Sequence, residues 1–294
     1  MAIKEKTIRE NESAKGKTLA LKAVAYIFLI LVTLLALFPL ILLVINATHT
    51  NNELQSGFKA LPGTAFIDNL VTAWNDTALF TLPRSMLNSF IIAASSCILT
   101  SYFSAMTAYG IHVYDFKLKK IAFNFIMVIM TIPTQVAAVG FVQLVGKFHM
   151  ENTYWPLILP AIAAPSVFFY MKQYIESSMP IEVIEAARVD GSNEFRTFNA
   201  IALPMLKPAI AVQMIFAFVS SWNNFFTPAL ILNKAEMWTL PIVNATLRQK
   251  IQSQNCDIGE VYMMILLSII PVVIVYIFLS KYIVKGVSLG AVKG

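Results

Sequence analysis

The residues able to do chemistry in this chain are few, and their spacing limits what they can do. His49, His112 and His149 stand far apart in sequence, and the cysteines are Cys97 in an apolar stretch and Cys256 in a polar one. No two of these share ligand spacing, so no metal site or disulfide framework is expected. No Ser/His/Asp or Cys/His set has local support, which argues against a hydrolase, and the pair His149 and Glu151 reads as polar groups flanking an apolar span. Gly140 to Lys147 approaches a phosphate-binding loop, but five residues separate Gly140 from Gly146 and Phe148 stands where a hydroxyl would hold magnesium. Such a loop needs four residues there and Ser or Thr after the lysine. No catalytic residue, metal or cofactor is assigned to the chain itself.

The polar stretch that invites a partner is Glu185-Ala186-Ala187-Arg188-Val189-Asp190-Gly191, running on to Ile201, Leu203 and Pro204 between two very apolar blocks. Residues 178–204 read as two short helices joined by a bend. Ser177 and Ser178 are N-cap candidates, Pro180 suits a first turn, and Glu182 and Glu185 sit near the positive end of the helix dipole. Gly191-Ser192 breaks the helix, and Ser192 is the expected cap of the next, where Phe195, Phe198 and Ala202 recur at helical spacing. Ala186 and Ala187 let a partner approach closely, and the Glu185 carboxylate suits a basic group on it. The alternative is an amphipathic helix on lipid headgroups, but Glu182, Glu185 and Asp190 against Arg188 is the wrong balance for an anionic surface.

Several elements must position this elbow, and composition says what they are. Of 294 residues, 57% are hydrophobic and 13% charged, which marks a membrane protein because soluble domains carry about 25% charged residues. The formal charge of +6 is not gathered with aromatics on one patch, so it fits orientation in a bilayer and not nucleic acid. Residues 1–23 are polar and basic. The 22 residues from Val24 to Ile45 form an uncleaved first span, roughly 33 Å long and kinked at Pro39.

A loop at 46–84 carries turn chemistry at Leu61-Pro62-Gly63 and Thr81-Leu82-Pro83. The second span, 85–110, places Ser96, Thr100, Ser104 and Ala108 on one face, read as a ladder for close helix packing. After basic Tyr114 to Lys120, the third span, 121–145, is interrupted at Thr131-Ile132-Pro133-Thr134-Gln135, either a locally repaired kink or a polar patch facing a pathway. The fourth, 154–175, holds Pro156, Pro160 and Pro165 and leads into the elbow. The fifth follows Pro204 and Pro208 to Leu232 and carries Ser220, Ser221, Trp222, Asn223, Asn224 and Thr227. A polar loop, 233–257, precedes the sixth span at 259–279 and a glycine-punctuated tail, Lys285 to Gly294.

With both termini and the elbow inside, 16 of the 22 Lys and Arg fall on the inner side, as the positive-inside rule asks. The central parts of the spans carry no Asp, Glu, Lys, Arg or His, so an ion-coupled relay is not expected and the driving force must enter through the elbow.

The spacing Glu-Ala-Ala, three residues, Gly, nine residues, Ile, any residue, Leu-Pro, at Glu185, Ala186, Ala187, Gly191, Ile201, Leu203 and Pro204, resembles the EAA signature of ABC importer membrane subunits. The similarity extends over residues 84–294. Trp222-Asn223 and the closing Val284-Lys285-Gly286 to Val292-Lys293-Gly294 resemble the carbohydrate branch, the second permease of maltose-type importers. The resemblance implies an all-α integral membrane protein with six transmembrane helices and the type I ABC importer permease fold. Residues 85–283 would be its core, with the elbow at 178–204, and 284–294 a cytoplasmic tail reaching the ATPases. Glu185, Ala186, Ala187, Asp190, Gly191, Ile201, Leu203 and Pro204 would form the coupling helix docked in a cytoplasmic ATPase.

The implied partners are a sister permease, two ATPase subunits that bind the ATP and magnesium, an extracytoplasmic solute-binding protein docking on loops 46–84 and 233–257, and membrane lipid. The implied setting is the cell membrane of a prokaryote and the implied cargo a di- or oligosaccharide, moved by alternating access. Trp222, Asn223, Asn224 and Gln135 are candidates for the route, with helix packing as the other reading of the same residues. An amino-acid or peptide permease of the same superfamily, a single-component secondary transporter and a non-transporting scaffold are the alternatives.

Overall fold

A computed structural model describes residues 2–75, 81–252 and 257–291; Cys256 and residues 292–294 lie outside the described residues. Among those described, the secondary structure is helical. Helix α1 (Ala2–Asn46) continues through Pro39, and its polar first half is continuous with the apolar half. Short α2 (Asn51–Gln55) and α3 (Phe66–Asn75) follow, then the long α4 (Leu82–Val113). Helices α5 (Lys119–Ile129) and α6 (Thr134–Lys147) meet at a 97° bend. Next come α7 (Trp155–Ile158), a 3-10 turn at Leu159–Ile162, α8 (Pro165–Ser178), α9 (Ile181–Val189) and α10 (Glu194–Met205), whose Thr197–Ala202 section is a π-helix. Helix α11 (Lys207–Trp222) lies at 80° to α10, and α12 (Phe226–Ile231), α13 (Leu240–Gln252) and α14 (Ile258–Ala291) complete the chain.

Four segments are long and apolar enough to span a membrane, and six if each bent pair counts as one. The helix α14 runs to Ala291, into the glycine-punctuated segment read as the tail. Glycines at 286 and 290 weaken a helix by about 1 kcal/mol each, but extending a helix already nucleated over an apolar span is easier than starting one. Lys172 and Glu260 fall near span ends, and Lys172 pairs with Glu176 one turn on at 2.5 Å.

The chain divides into two compact units. The first comprises residues 1–70 and 257–266. From Leu21 to Leu40 the side chains of α1 form an apolar cylinder that only lipid or another protein can cover. Beyond it, buried polar groups tie the chain into a knot. Asn69 Nδ2 donates to the carbonyls of Ala47 and His49, and Gly63 N donates to Thr48 Oγ1 at 2.7 Å. The His49 ring lies between Glu53 Oε2 at 3.1 Å and the Leu61 carbonyl at 2.9 Å. Hydrogen bonds from the Thr50 backbone, then His49, hold the Glu53 carboxyl below its usual range. A Cβ on Gly259 would lie 2.4 Å from the His49 carbonyl oxygen, so only glycine permits this approach.

The second unit, residues 71–256 and 267–294, is organised around α4. Its Ser96, Thr100, Ser104 and Ala108 face is buried against the proline-broken span α7–α8. Pro165 has no N–H for the carbonyl of Ala161, four residues back. Thr100 Oγ1 supplies the missing donor to that oxygen at 2.8 Å, while Ser96 and Ser104 approach the carbonyls of Leu157 and Ala164 at 3.4 and 3.5 Å. The ladder therefore packs helices and also repairs the break. On one side of it, Ala105, Ala108, Tyr109, Phe168, Met171 and Ile175 form one apolar core with Ile184, Phe198, Ala202 and Leu206. Toward the other end, Asn88 Nδ2 donates to the carbonyls of Glu236 and Trp238, and Ser89 Oγ accepts from Leu240 N.

Replacing Thr100 by Val keeps the shape and removes the donor, leaving the Ala161 oxygen unpaired. The expected cost is about 1–3 kcal/mol, read as a lowered Tm of the detergent-solubilised protein, with Thr100→Ser near wild type. Equal loss in both variants would assign the effect to the Thr100 methyl group.

Candidate functional site

Two features of the second unit can do work: the elbow and a cavity. The elbow starts where α8 ends. Ser177 Oγ donates back to the Tyr174 carbonyl, so Ser177 and Ser178 close α8 and do not cap α9; Pro180 occupies the N-cap position without a side-chain bond. Helix α9 closes on Gly191 at φ +78°, with Ser192 N bonded to the Ala187 carbonyl and Gly191 N to that of Arg188. This is a Schellman closure, and its left-handed position is why the spacing requires glycine. Asn193, and not Ser192, caps α10: its Oδ1 accepts from Arg196 N at 2.8 Å, while Ser192 Oγ is engaged by the Thr197 hydroxyl.

Glu185, Ala186, Asp190 and Gly191 are open to solvent, whereas Ala187 is buried. The two alanines thus do different jobs, Ala186 offering the outer surface and Ala187 permitting close packing within the chain. Ile201 and Leu203 are half-buried and Pro204 exposed, and the intervening Ala202 is fully buried. Apolar groups stand out on the same elbow: Val189 is 88% exposed and Phe195 75%. Side chains of this size in open water cost free energy unless something covers them.

A polar clamp keeps the bend rigid. Arg188 Nε donates to Glu194 Oε1 at 2.8 Å across the turn, Tyr114 Oη donates to Glu194 Oε2, and the guanidinium sits 5.4 Å from the Tyr114 ring centre. Burial, then the hydrogen bond to Glu194, raises the Tyr114 phenol above its usual range, and the Glu194 carboxylate raises the Arg188 guanidinium further. The clamp joins the segment after α4 to both arms of the elbow.

The cavity, of about 790 Å³, opens beside the mid-height of α4, bounded by α7–α8 and α11. Helix α11 turns one face to it, with Gln213, Phe216, Ala217, Ser220 and Ser221 at helical spacing, and Asn224 follows just beyond its end. Of the four residues expected along a route, only Asn224 lies in this wall. Trp222 is 3% exposed, stacked on Phe218, with its Nε1 donating to the Ser268 carbonyl at 3.2 Å, so its ring braces α11 against α14. Asn223 Nδ2 returns to the Val219 carbonyl, and Asn223 and Trp222 border a separate recess of about 230 Å³. Gln135 is exposed at the start of α6, away from the cavity wall. Gln213, Ser166 and Tyr170, which sequence reading passed over, are in the wall. The one available signal was an amide at Gln213 within an otherwise apolar run.

Broken apolar spans, an exposed bent connector and a cavity within the spans whose largely apolar wall carries several uncharged polar groups define a membrane permease subunit. Residues 98–289 match the family described as binding-protein-dependent transport system inner membrane component, and the chain belongs to that family. It is 32% identical over 274 residues to the arabinooligosaccharides transport system permease protein AraQ of Bacillus subtilis (strain 168), covering 91% of this chain and 94% of that one. It is 35% identical over 269 residues to AraQ of Halalkalibacterium halodurans, covering 90% and 93%. Among solved structures, a bacterial ABC transporter involved in import of the acidic polysaccharide alginate has a chain that superposes with a TM-score of 0.75 at 20% identity, covering 88% of this chain and 95% of that one. The fold is that of the type I ABC importer permeases, as the elbow signature implied.

Replacing Glu194 by Ala cuts the tie between Arg188 and Tyr114. An exposed pair of this kind is worth about 0.2–1 kcal/mol, so amide exchange across the bend should quicken by about 1.4- to fivefold while α4 and α8 stay protected. Unchanged exchange in the elbow would mean that the Schellman closure alone sets its rigidity.

Proposed function

We propose that this chain is the membrane-spanning gate of an ATP-driven carbohydrate importer, moved by a separate ATPase that grips the elbow. The observation that carries the coupling is the exposed elbow itself. It displays Glu185, Ala186, Val189, Asp190 and Phe195 to solvent while Ile184, Ala187, Phe198 and Ala202 root it in the chain's own packing. A partner cleft that covers Val189 and Phe195 would gain the apolar burial the isolated chain lacks. The carbohydrate assignment is supported by the arabinooligosaccharide permeases among the relatives.

In this reading both termini and the elbow face the cytoplasm, in keeping with the excess of Lys and Arg on that side. A sister permease pairs with this subunit, two ATPase subunits bind ATP and magnesium below, and an extracytoplasmic binding protein delivers the sugar above. The chain contributes no catalytic group. Closure of the ATPase dimer carries α9 and α10 as a body, and their shared core with α4 and α8 passes the displacement to the spans. Copurification from native membranes followed by mass spectrometry should return an ATPase and a second permease together.

Gly191→Pro removes the N–H bonded to Arg188 and cannot adopt φ +78°, and Glu185→Lys reverses the charge offered to the partner. Both variants should remain in the membrane yet lose uptake and stimulated ATP hydrolysis by at least about tenfold, the effect of some 1.4 kcal/mol at the interface. Normal uptake in either would remove the elbow from the coupling path. The purified chain without partners should hydrolyse no ATP, and robust turnover would place it in another class.

A further inference from the structure

Gln213 is buried to 8% exposure at the cavity wall, and among the described residues its carboxamide has no hydrogen-bond partner. Its side-chain oxygen and nitrogen open on the cavity and are not enclosed in the packing. Three of its polar neighbours are occupied within the chain, while Ser166, Tyr170, Ser220 and Ser221 also line the space. Ser96 and Thr100 donate to carbonyls of the broken span, and Asn224 Oδ1 accepts from Thr227 N. The Gln213 carboxamide, able to donate and accept at once, is the free buried polar group of the wall. Exposed aromatic faces of Tyr170 and Phe216 border the same space.

No residue lining this cavity is charged. An anionic solute would leave water for a low-dielectric wall with nothing to compensate it, whereas hydroxyl groups can exchange water for an amide and sugar C–H faces can lie on aromatic rings. The volume of about 790 Å³ falls in the range of small-molecule sites and leaves room for more than one sugar ring. We infer that this cavity takes an uncharged saccharide and that Gln213 hydrogen-bonds its hydroxyls during passage. The inference rests on the carbohydrate reading above and goes further by naming the charge class and the contacting residue.

The test uses the complete transporter with its partners in proteoliposomes. Its probes are radiolabelled neutral saccharides of two to four units and the same saccharides oxidised to uronates. Wild type should import the neutral set and exclude the uronates by at least tenfold. Gln213→Leu should cut neutral uptake at least tenfold with assembly unchanged, and Gln213→Asn should restore part of it. In a variant with Cys97 and Cys256 replaced by Ser, the thiol of Gln213→Cys should be shielded from a small thiol reagent by neutral saccharide and not by uronate.

Unchanged uptake by Gln213→Leu, or no shielding at the thiol, overturns the role of Gln213 while leaving the carbohydrate reading intact. Equal import of uronates overturns the charge class alone. Hydrolysis of ATP without import of any saccharide overturns the carbohydrate reading beneath both.

Discussion

With proline at position 165 the chain has no N–H to offer the carbonyl of Ala161, and inside a bilayer no water is at hand to replace it. The Thr100 hydroxyl does so from the neighbouring helix. That bond joins three properties that otherwise look separate. It permits a span to break without an orphaned acceptor, it requires α4 to present small hydroxyl side chains there, and the resulting close approach leaves the 3-10 turn Leu159–Ile162 beside a polar hollow. A straight fourth span would need none of the ladder and would open no such space. The packing ladder and the cavity wall are one construction.

The same economy governs the elbow. A connector that transmits displacement must not bend under load, yet a short polar turn such as residues 190–193 ordinarily would. Here the turn is over-determined: a left-handed glycine, an asparagine cap, an ion pair across the bend and a phenol from another segment all specify one geometry. Below it, Phe198 packs edge-on to Tyr102 and tilted against Tyr109, and the π-helical section sets Thr197, Phe198 and Ala202 into the core. Since Ile184, Ala202 and Leu206 share that core with Ala105, Met171 and Ile175, neither arm can shift without moving α4 or α8. Rigidity at the surface and continuity in the core are what make a lever of two short helices.

Much of this was legible in the residues. Apolar length located the spans, and the spacing from Glu185 to Pro204 located the elbow and its family, because both depend on residue type at fixed separation. Other features depended on contacts between distant segments. Ser192 and Asn193 are equally good caps by type, and only the path of the chain after Gly191 decides for Asn193. Ala186 and Ala187 read alike until the helix rotation turns one outward and the other in. The Ser96–Ala108 face showed that a helix would pack there, but which carbonyl needed a donor was fixed by Pro165, sixty-five residues beyond Thr100.

The cluster from Ser220 to Thr227 illustrates why polar density alone is a poor guide to a binding surface in a membrane. Trp222 spends its N–H on Ser268, Asn223 on Val219, and Asn224 accepts from Thr227, so most of the visible polarity satisfies the protein itself. A group already bonded within the fold can bind a solute only by giving that bond up, and in a medium without water the exchange gains little. The informative residue is the one whose hydrogen-bonding capacity remains after the backbone has been served. In the cavity beside α4 the buried residue of that kind is Gln213, whose one mark in the sequence is an amide within an apolar run. Where a helix must stay apolar to remain in the bilayer, a few uncommitted polar groups on one face confer selectivity at small cost to insertion.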